Sequence, residues 1–242
     1  MNETIKLLLE RKSTRSFSDK EISKEDKDLI IEAAVNAPTA GNMQLYSIIE
    51  IDKPELKEKV SILCDNQPFI KTAKLVLIFV ADYSKWQNTF LSLGLKPRDI
   101  DLGDMLLATE DALIAASNAQ VASEALGISS CYIGDVMENG EEMIDLLKLP
   151  KHTYPACMLV FGYPSDNMAN VKKPKRVDNK YVLFKDEYKV LNKNELKDML
   201  VERTILKGYK EWMEAFMERK HNSDFSKEMQ RSSKVHLNNF KD

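Results

Sequence analysis

LVLIFVA, Leu75–Ala81, is an unbroken apolar run flanked by Lys74 and Asp82. A run this short is a strand, and one without polar alternation is buried on both faces. ACMLVF, Ala156–Phe161, repeats the pattern. Leu45–Ile51, with Ile48, Ile49 and Ile51 apolar, and the short segment Ser129–Ile133 read as further strands. Helical patterns separate these runs, and no Asn-Gly turn joins neighbouring strands. The expectation is an α+β fold: one domain over residues 1–242, with a central sheet covered by helices.

The helices follow from periodicity and end signals. Residues 2–11 place Ile5, Leu8 and Leu9 on one face. A second helix starts at Ser23, with Asp26 three residues on, and stops before Pro38, because a residue preceding proline leaves the α region. Pro54 opens a helix running to about Leu63. Residues 101–126 carry Ala108, Ala112, Ala115, Ala116, Ala119, Ala122 and Ala125. Such a helix is small and apolar nearly all round, so it belongs at the centre, with Gly127 to end it. A helix near Glu141–Leu147 and a long one over residues 193–218 follow. Residues 218–242 are too polar to form a core and read as an extended C-terminal arm, on the body or on a partner subunit.

The chain has 242 residues, 43% of them apolar, and a net charge of −3. No basic excess points to nucleic acid or to a membrane surface. No apolar run approaches the ~18 residues of a bilayer span. MNETIKLLLE lacks the features of a signal peptide, which makes the cytoplasm the default location. Cys64, Cys131 and Cys157 are far apart and include no CxxC, and His152, His221 and His236 form no cluster. Neither a disulfide framework nor a zinc site is expected.

Four stretches could carry chemistry. In Arg11-Lys12-Ser13-Thr14-Arg15-Ser16-Phe17, residues 11, 13 and 15 share one face if the chain is extended. Two guanidiniums and a hydroxyl there would cradle a phosphate; a solvated basic turn is the plainer reading. In Ala37-Pro38-Thr39-Ala40-Gly41-Asn42-Met43-Gln44, small residues admit a flat ligand, and Asn42 and Gln44 offer amides to a heteroaromatic edge; an ordinary helix-to-strand loop would look the same. Gly127–Asp135 is a strand ending in a glycine with free backbone N–H groups, and Cys131 within it reads as a small buried residue rather than a nucleophile. Lys172-Lys173-Pro174-Lys175-Arg176 is a second source of positive charge, alone no more than a surface run. No glycine-rich phosphate loop is present, so side-chain charge must hold any nucleotide phosphate.

Taken in order, these stretches resemble the nitroreductase family of FMN-dependent oxidoreductases. RKSTRSF is similar to its opening signature and APTAGNMQ to its A-P-S-x-x-N-x-Q segment. Cys64-Asp65-Asn66-Gln67 is similar to the motif that sets a glutamine by the flavin. LGISSCYIGDV resembles its L-G-x-G-x-x-Y-I-G segment, and LVFGYPSDN with KKPKR its closing strand and basic loop. The resemblance implies a central mixed sheet in an intertwined homodimer, with FMN bound non-covalently at the interface. It implies an enzyme that passes hydride from NADPH or NADH, in ping-pong fashion, to a nitroaromatic, quinone or similar small acceptor. A free flavin as acceptor, or a flavin-binding sensor that does not turn over, are the alternatives. It assigns Arg11, Lys12, Ser13 and Arg15 to the phosphate and ribityl chain, completed by Arg176 with Lys173 or Lys175. Pro38, Thr39, Ala40 and Asn42 line the ring, Gln67 bonds its pyrimidine side, and the backbone of Tyr132, Ile133, Gly134 and Asp135 faces its reactive nitrogen. The flavin carries the chemistry, and no catalytic side chain is implied. Gly41 stands where serine is common, Ser130 replaces a glycine, and the basic loop runs Pro-Lys-Arg instead of Lys-Pro-Arg. Arg219 and Lys220 resemble the start of a segment that grips the NADPH 2′-phosphate, without the arginine pair that follows it.

Overall fold

The computed structural model describes residues 1–168 and 171–242. The chain forms two compact units, Met1–Lys172 with Glu228–Asp242, and Lys173–Lys227.

The first unit contains a sheet of β1 (Tyr46–Glu50), β2 (Leu75–Asp82), β3 (Ser129–Ile133) and β4 (Thr153–Gly162), in the order β1-β2-β4-β3. All three pairings are antiparallel. A mixed sheet needs a parallel neighbour, and none is present among the described residues. The helices α3 (Pro54–Leu63) and α4 (Pro68–Thr72) lie between β1 and β2, which pair antiparallel.

Every residue of β2 and β4 is buried, as the unbroken apolar runs required. Alternation divides them between two cores. Leu75, Leu77, Phe79 and Ala81 face one, and Val76, Ile78 and Val80 face the other. The register shifts between Phe79 and Val80: Phe79 stands opposite Cys157 but Val80 opposite Pro155, so Ala156 is an extra, bulged residue.

The first core is covered by α6 (Leu102–Ala125) and α2 (Lys24–Val35). Ala108, Ala112, Ala115, Ala116 and Ala119 of α6 are fully buried there, because methyl side chains let the helix lie close to the sheet. A capping box of Asp101 and Asp104 starts α6, and Gly127, at φ 73°, follows its end. At α2 the Ser23 Oγ accepts the Asp26 N–H at 3.0 Å. The second core is covered by α3, α4 and α7 (Gly140–Leu147), through Val60, Ile70 and Met143. On the outside, α1 (Glu3–Glu10) packs on α6 but buries no residue of its own. Neither α4 nor α5 (Ser84–Ser92) shows in the sequence pattern, since each is too short to display a period.

The second unit differs from expectation. The helix expected over residues 193–218 is broken into α8 (Lys193–Met199), α9 (Val201–Thr204) and α10 (Tyr209–Lys220). Leu200 leaves helical geometry at φ −109°, and Gly208 takes φ 76°, a left-handed value that glycine adopts without penalty. The C-terminal segment is also not extended. Residues Asp224–Phe240 form α11, and its part from Glu228 onward belongs to the first unit, with Ser232, His236 and Phe240 buried. Three inward residues suffice to seat a helix whose other faces are polar.

Candidate active site

The site is built along the edge strand β3. The segment after α1 passes β3, where the Thr14 N–H donates to Ser130 O at 3.0 Å, and then the end of β4, where the Ser18 N–H donates to Tyr163 O at 2.8 Å. Thr14 turns inward and is fully buried. Arg11, Ser13 and Arg15 gather instead around the Cys131 thiol. Burial pushes that thiol up, and Arg15, Ser13 and Arg11 oppose the shift.

Arg11 carries the unusual feature. Its Nε and Nη2 are buried and have no hydrogen-bond partner among the described residues. Beside it, burial pushes the Glu124 carboxyl of α6 up while the Arg11 charge pulls it down, and Glu124 Oε1 is unpartnered too. A buried cationic donor left unbonded costs at least about 1–3 kcal/mol. Guanidinium N–H groups in that state are set for an anionic acceptor such as a phosphoester. Ser130 Oγ and Thr14 Oγ1 add two more unpartnered polar atoms on the same edge. Lys12 is already engaged, its ammonium donating to Met168 O at 2.8 Å and Val171 O at 2.6 Å.

The loop between α2 and β1 contains a 3-10 turn, Ala40–Asn42. Gly41, Asn42 and Gln44 all have positive φ, 57°, 58° and 50°. Asp111 holds this strained backbone. Its carboxylate accepts the Ala40 N–H at 2.8 Å and the Leu45 N–H at 3.0 Å. Thr39 Oγ1 accepts the Gln44 N–H at 3.3 Å. Gln44 turns its amide donor back onto Val35 O, at 3.2 Å, so it does not face a ring as its position suggested. Pro38 is exposed; Thr39 and Ala40 are half-buried.

Gln67 caps the start of α4, with its Nε2 donating to Cys64 O at 3.0 Å. Asp65 and Asn66 before it are left-handed. This turn meets the one after β3. Burial raises the Glu138 carboxyl to about 7, helped by the negative charges of Asp135, Asp65 and Glu228. Gly134 at the end of β3 is exposed, and a Cβ built on it would meet nothing within 4 Å. Tyr132 is partly exposed, its phenol pushed up by burial, with Ser117 of α6 bonded to it.

The structure therefore joins Arg11, Ser13, Arg15 and Tyr132 in one group, and brings Cys64 and Asp65, in the turn that leads to Gln67, near Asp135 and Glu138 in a neighbouring one. Thr39, Ala40 and Asn42 stand apart. Their loop is tied to Asp111, whereas Arg11 lies by Glu124, roughly 20 Å further along α6 at about 1.5 Å per residue.

Lys173, Lys175, Arg176, Arg219 and Lys220 belong to the second unit. Within it, a cleft of about 810 Å³ is lined by Lys175, Arg176, Lys180, Asp198, Glu202 and Arg203. Lys175 pairs with Glu202 at 3.0 Å and Lys180 with Asp198 at 3.0 Å. The Arg219 guanidinium lies 5.8 Å from the Phe216 ring, which stacks on Trp212 at 4.8 Å. Among the described residues no group of three or more His, Cys, Asp or Glu could hold a metal ion, and no helix is long and apolar enough to cross a membrane.

Sequence reading missed Asp111, Glu138 and the residues of α11 that reach the β3 turn. Asp111 had a signal. It falls on the stripe of Ala108, Ala112 and Ala115, where a carboxylate needs buried donors. Glu138 had none, because its burial comes from elements distant in sequence.

The chain is similar to known proteins in sequence and in fold. The model of the Nitroreductase family matches residues 8–163. An FMN reductase [NAD(P)H] of Bacillus subtilis is 36% identical over 224 residues, covering 92% of this chain and 86% of that protein. An oxygen-insensitive NADPH nitroreductase of Salmonella typhimurium is 33% identical over 195 residues, covering 79% and 77%. Among solved structures, the hypothetical oxidoreductase YcnD from Bacillus subtilis has a TM-score of 0.81 at 30% identity, covering 96% of this chain and 98% of that one.

Proposed function

The chain belongs to the nitroreductase family, and from that membership and the geometry of the β3 edge we infer that it is an NAD(P)H-dependent FMN oxidoreductase of small acceptors such as nitroaromatics and quinones. Non-covalently bound FMN supplies the chemistry, storing electrons between nicotinamide and acceptor in a ping-pong cycle. The chain's own work is to hold and orient that group and to leave one side of it open.

The buried, unpartnered guanidinium of Arg11 carries this reading. It fits the phosphate end, with Ser13 and Arg15 beside it and Lys12 anchoring the segment. Arg176, with Lys173 or Lys175, is the second cationic contribution to FMN binding, and Arg219 and Lys220 to the nicotinamide phosphate. The Tyr132–Asp135 backbone and Gln67 would contact the ring. Pro38, Thr39, Ala40 and Asn42 complete its wall from a second copy of the chain. Two observations support that dimer. Their loop lies far along α6 from Arg11. In addition, Leu8 and Leu9 of α1 and Leu106, Leu107, Leu113 and Ile114 of α6 are exposed apolar side chains, on helices that pack together.

A second acceptor is favoured by one finding: the relative covering 92% of this chain is an FMN reductase. Free FMN would then be the physiological acceptor. Steady-state rates with free FMN, a quinone and a nitrofuran separate the two. The primary test is the visible spectrum of the purified protein, repeated under nitrogen with NADPH and with NADH. A yellow protein bleached by at least one donor and recoloured by acceptor is expected. A colourless protein that takes up no FMN overturns the assignment.

A further inference from the structure

The C-terminal helix does more than cover the body. Four contacts from α11 converge on the turn that follows β3, across about a hundred residues of chain. The Ser232 hydroxyl donates to Met137 O at 2.6 Å. The His236 Nε2 lies 3.0 Å from the same carbonyl. Since a carbonyl only accepts, Nε2 carries the proton. Glu228 Oε1 accepts the Asn139 N–H at 3.1 Å, and Arg231 grips Glu141 with two bonds, at 2.8 and 2.9 Å. Gly140 permits this closeness, because a Cβ there would stand 2.8 Å from Ser232 Oγ and 3.2 Å from Val235 Cβ.

The same turn is tied at its other end to Gly134. The Met137 N–H donates to Gly134 O at 3.0 Å, and the Glu138 N–H to Asp135 O at 2.9 Å. Met137 is thus bonded through its N–H to the residue that follows β3 and through its carbonyl to the C-terminal helix. Displacing that carbonyl tilts the Met137 peptide and carries the Gly134–Asp135 backbone with it.

We propose that Ser232, His236 and Glu228 are positioning residues for the flavin: by fixing Met137 and Asn139, they set the Gly134–Asp135 backbone that contacts the ring. This rests on the reading that Gly134 and Asp135 face FMN.

The test uses the full chain, with FMN titrated into apo-protein and the midpoint potential of the bound flavin measured alongside. The potential reports the ratio of affinities for reduced and oxidised FMN, which a loss of stability alone does not move. Ser232→Ala and Glu228→Ala are each expected to raise the FMN Kd about 5–10-fold and to change that ratio about threefold or more, as loss of one hydrogen bond allows. Glu228→Gln keeps an acceptor for Asn139 and is expected to stay within about twofold of wild type. Asp242→Ala is the control. It removes an acceptor for the Ile100 N–H at the far end of the helix, 2.7 Å away, and should lower Tm without moving Kd or potential. The proposal is overturned if Ser232→Ala and Glu228→Ala lower Tm but leave Kd and potential at wild-type values, or if Asp242→Ala moves both equally. Wild-type apo-protein that takes up no FMN overturns this proposal together with the reading beneath it, whereas normal wild-type uptake with unresponsive variants overturns the positioning role alone.

Discussion

The central strands β2 and β4 and the edge strand β3 belong to one sheet but are made on different terms. In β2 and β4 every side chain is buried, and no side-chain polar atom lacks a partner. At β3, Ser130 Oγ is unpartnered, and so are Thr14 Oγ1, Arg11 Nε and Nη2 and Glu124 Oε1 around it. The interior strands have spent their bonding capacity on folding. The edge retains donors and acceptors that folding did not use, and those are what a ligand can take. Stability therefore resides in the middle of the sheet, and the proposed binding site lies at its border.

That division can be broken by experiment. The largest effect is expected from Phe79→Ala, a fully buried ring facing the first core. It should cost about 3–5 kcal/mol in urea unfolding and leave the FMN affinity of the remaining folded protein unchanged. Arg11→Ala should do the reverse. It should weaken FMN binding more than tenfold, about 1.5–3 kcal/mol, in a flavin-fluorescence titration, while apo-protein stability holds or rises as an unbonded buried cation is lost. Arg15→Ala should weaken binding by about tenfold on the same grounds. If Phe79→Ala abolishes binding in folded protein, or Arg11→Ala unfolds it, the two regions are not separable.

Asp111→Asn sharpens the comparison. One amide oxygen replaces a carboxylate that holds two backbone N–H groups, and a loss of about 2 kcal/mol in unfolding free energy is expected. Glu138 gives a pH signature. Its folded carboxyl keeps its proton up to about 7, against an ordinary value of 4.5. The contribution is therefore complete below the unfolded value and is lost as pH rises through 7. From about pH 5 to pH 8, wild type should lose about 1–2 kcal/mol more than Glu138→Gln, measured as urea midpoints across the range. Gly127→Ala should have the smallest effect, about 1 kcal/mol in thermal unfolding, from forcing a Cβ into the left-handed φ of 73°.

Where the chain's pattern is local, the fold was legible. Ser23 and Pro54 marked the starts of α2 and α3, Gly127 followed the end of α6, and unbroken apolar runs marked β2 and β4. The helix expected over residues 193–218 breaks at Leu200, which has no local signal, and again before Gly208, whose positive φ favours glycine. The site was legible only in fragments. The alternation of Arg11, Ser13 and Arg15 gave a shared face, but not which guanidinium would lie buried without a partner.

The sequence by itself determined the elements, the two-faced burial of the central strands and the family motifs, because each is written within a few consecutive residues. The tertiary structure alone decided that Asp111 anchors the Ala40–Leu45 loop, that Glu138 holds a proton near neutrality, and that a polar C-terminal segment becomes a helix fastened to Met137. Each depends on desolvation and on partners tens of residues away. Burial is a property of the assembled fold and has no local code.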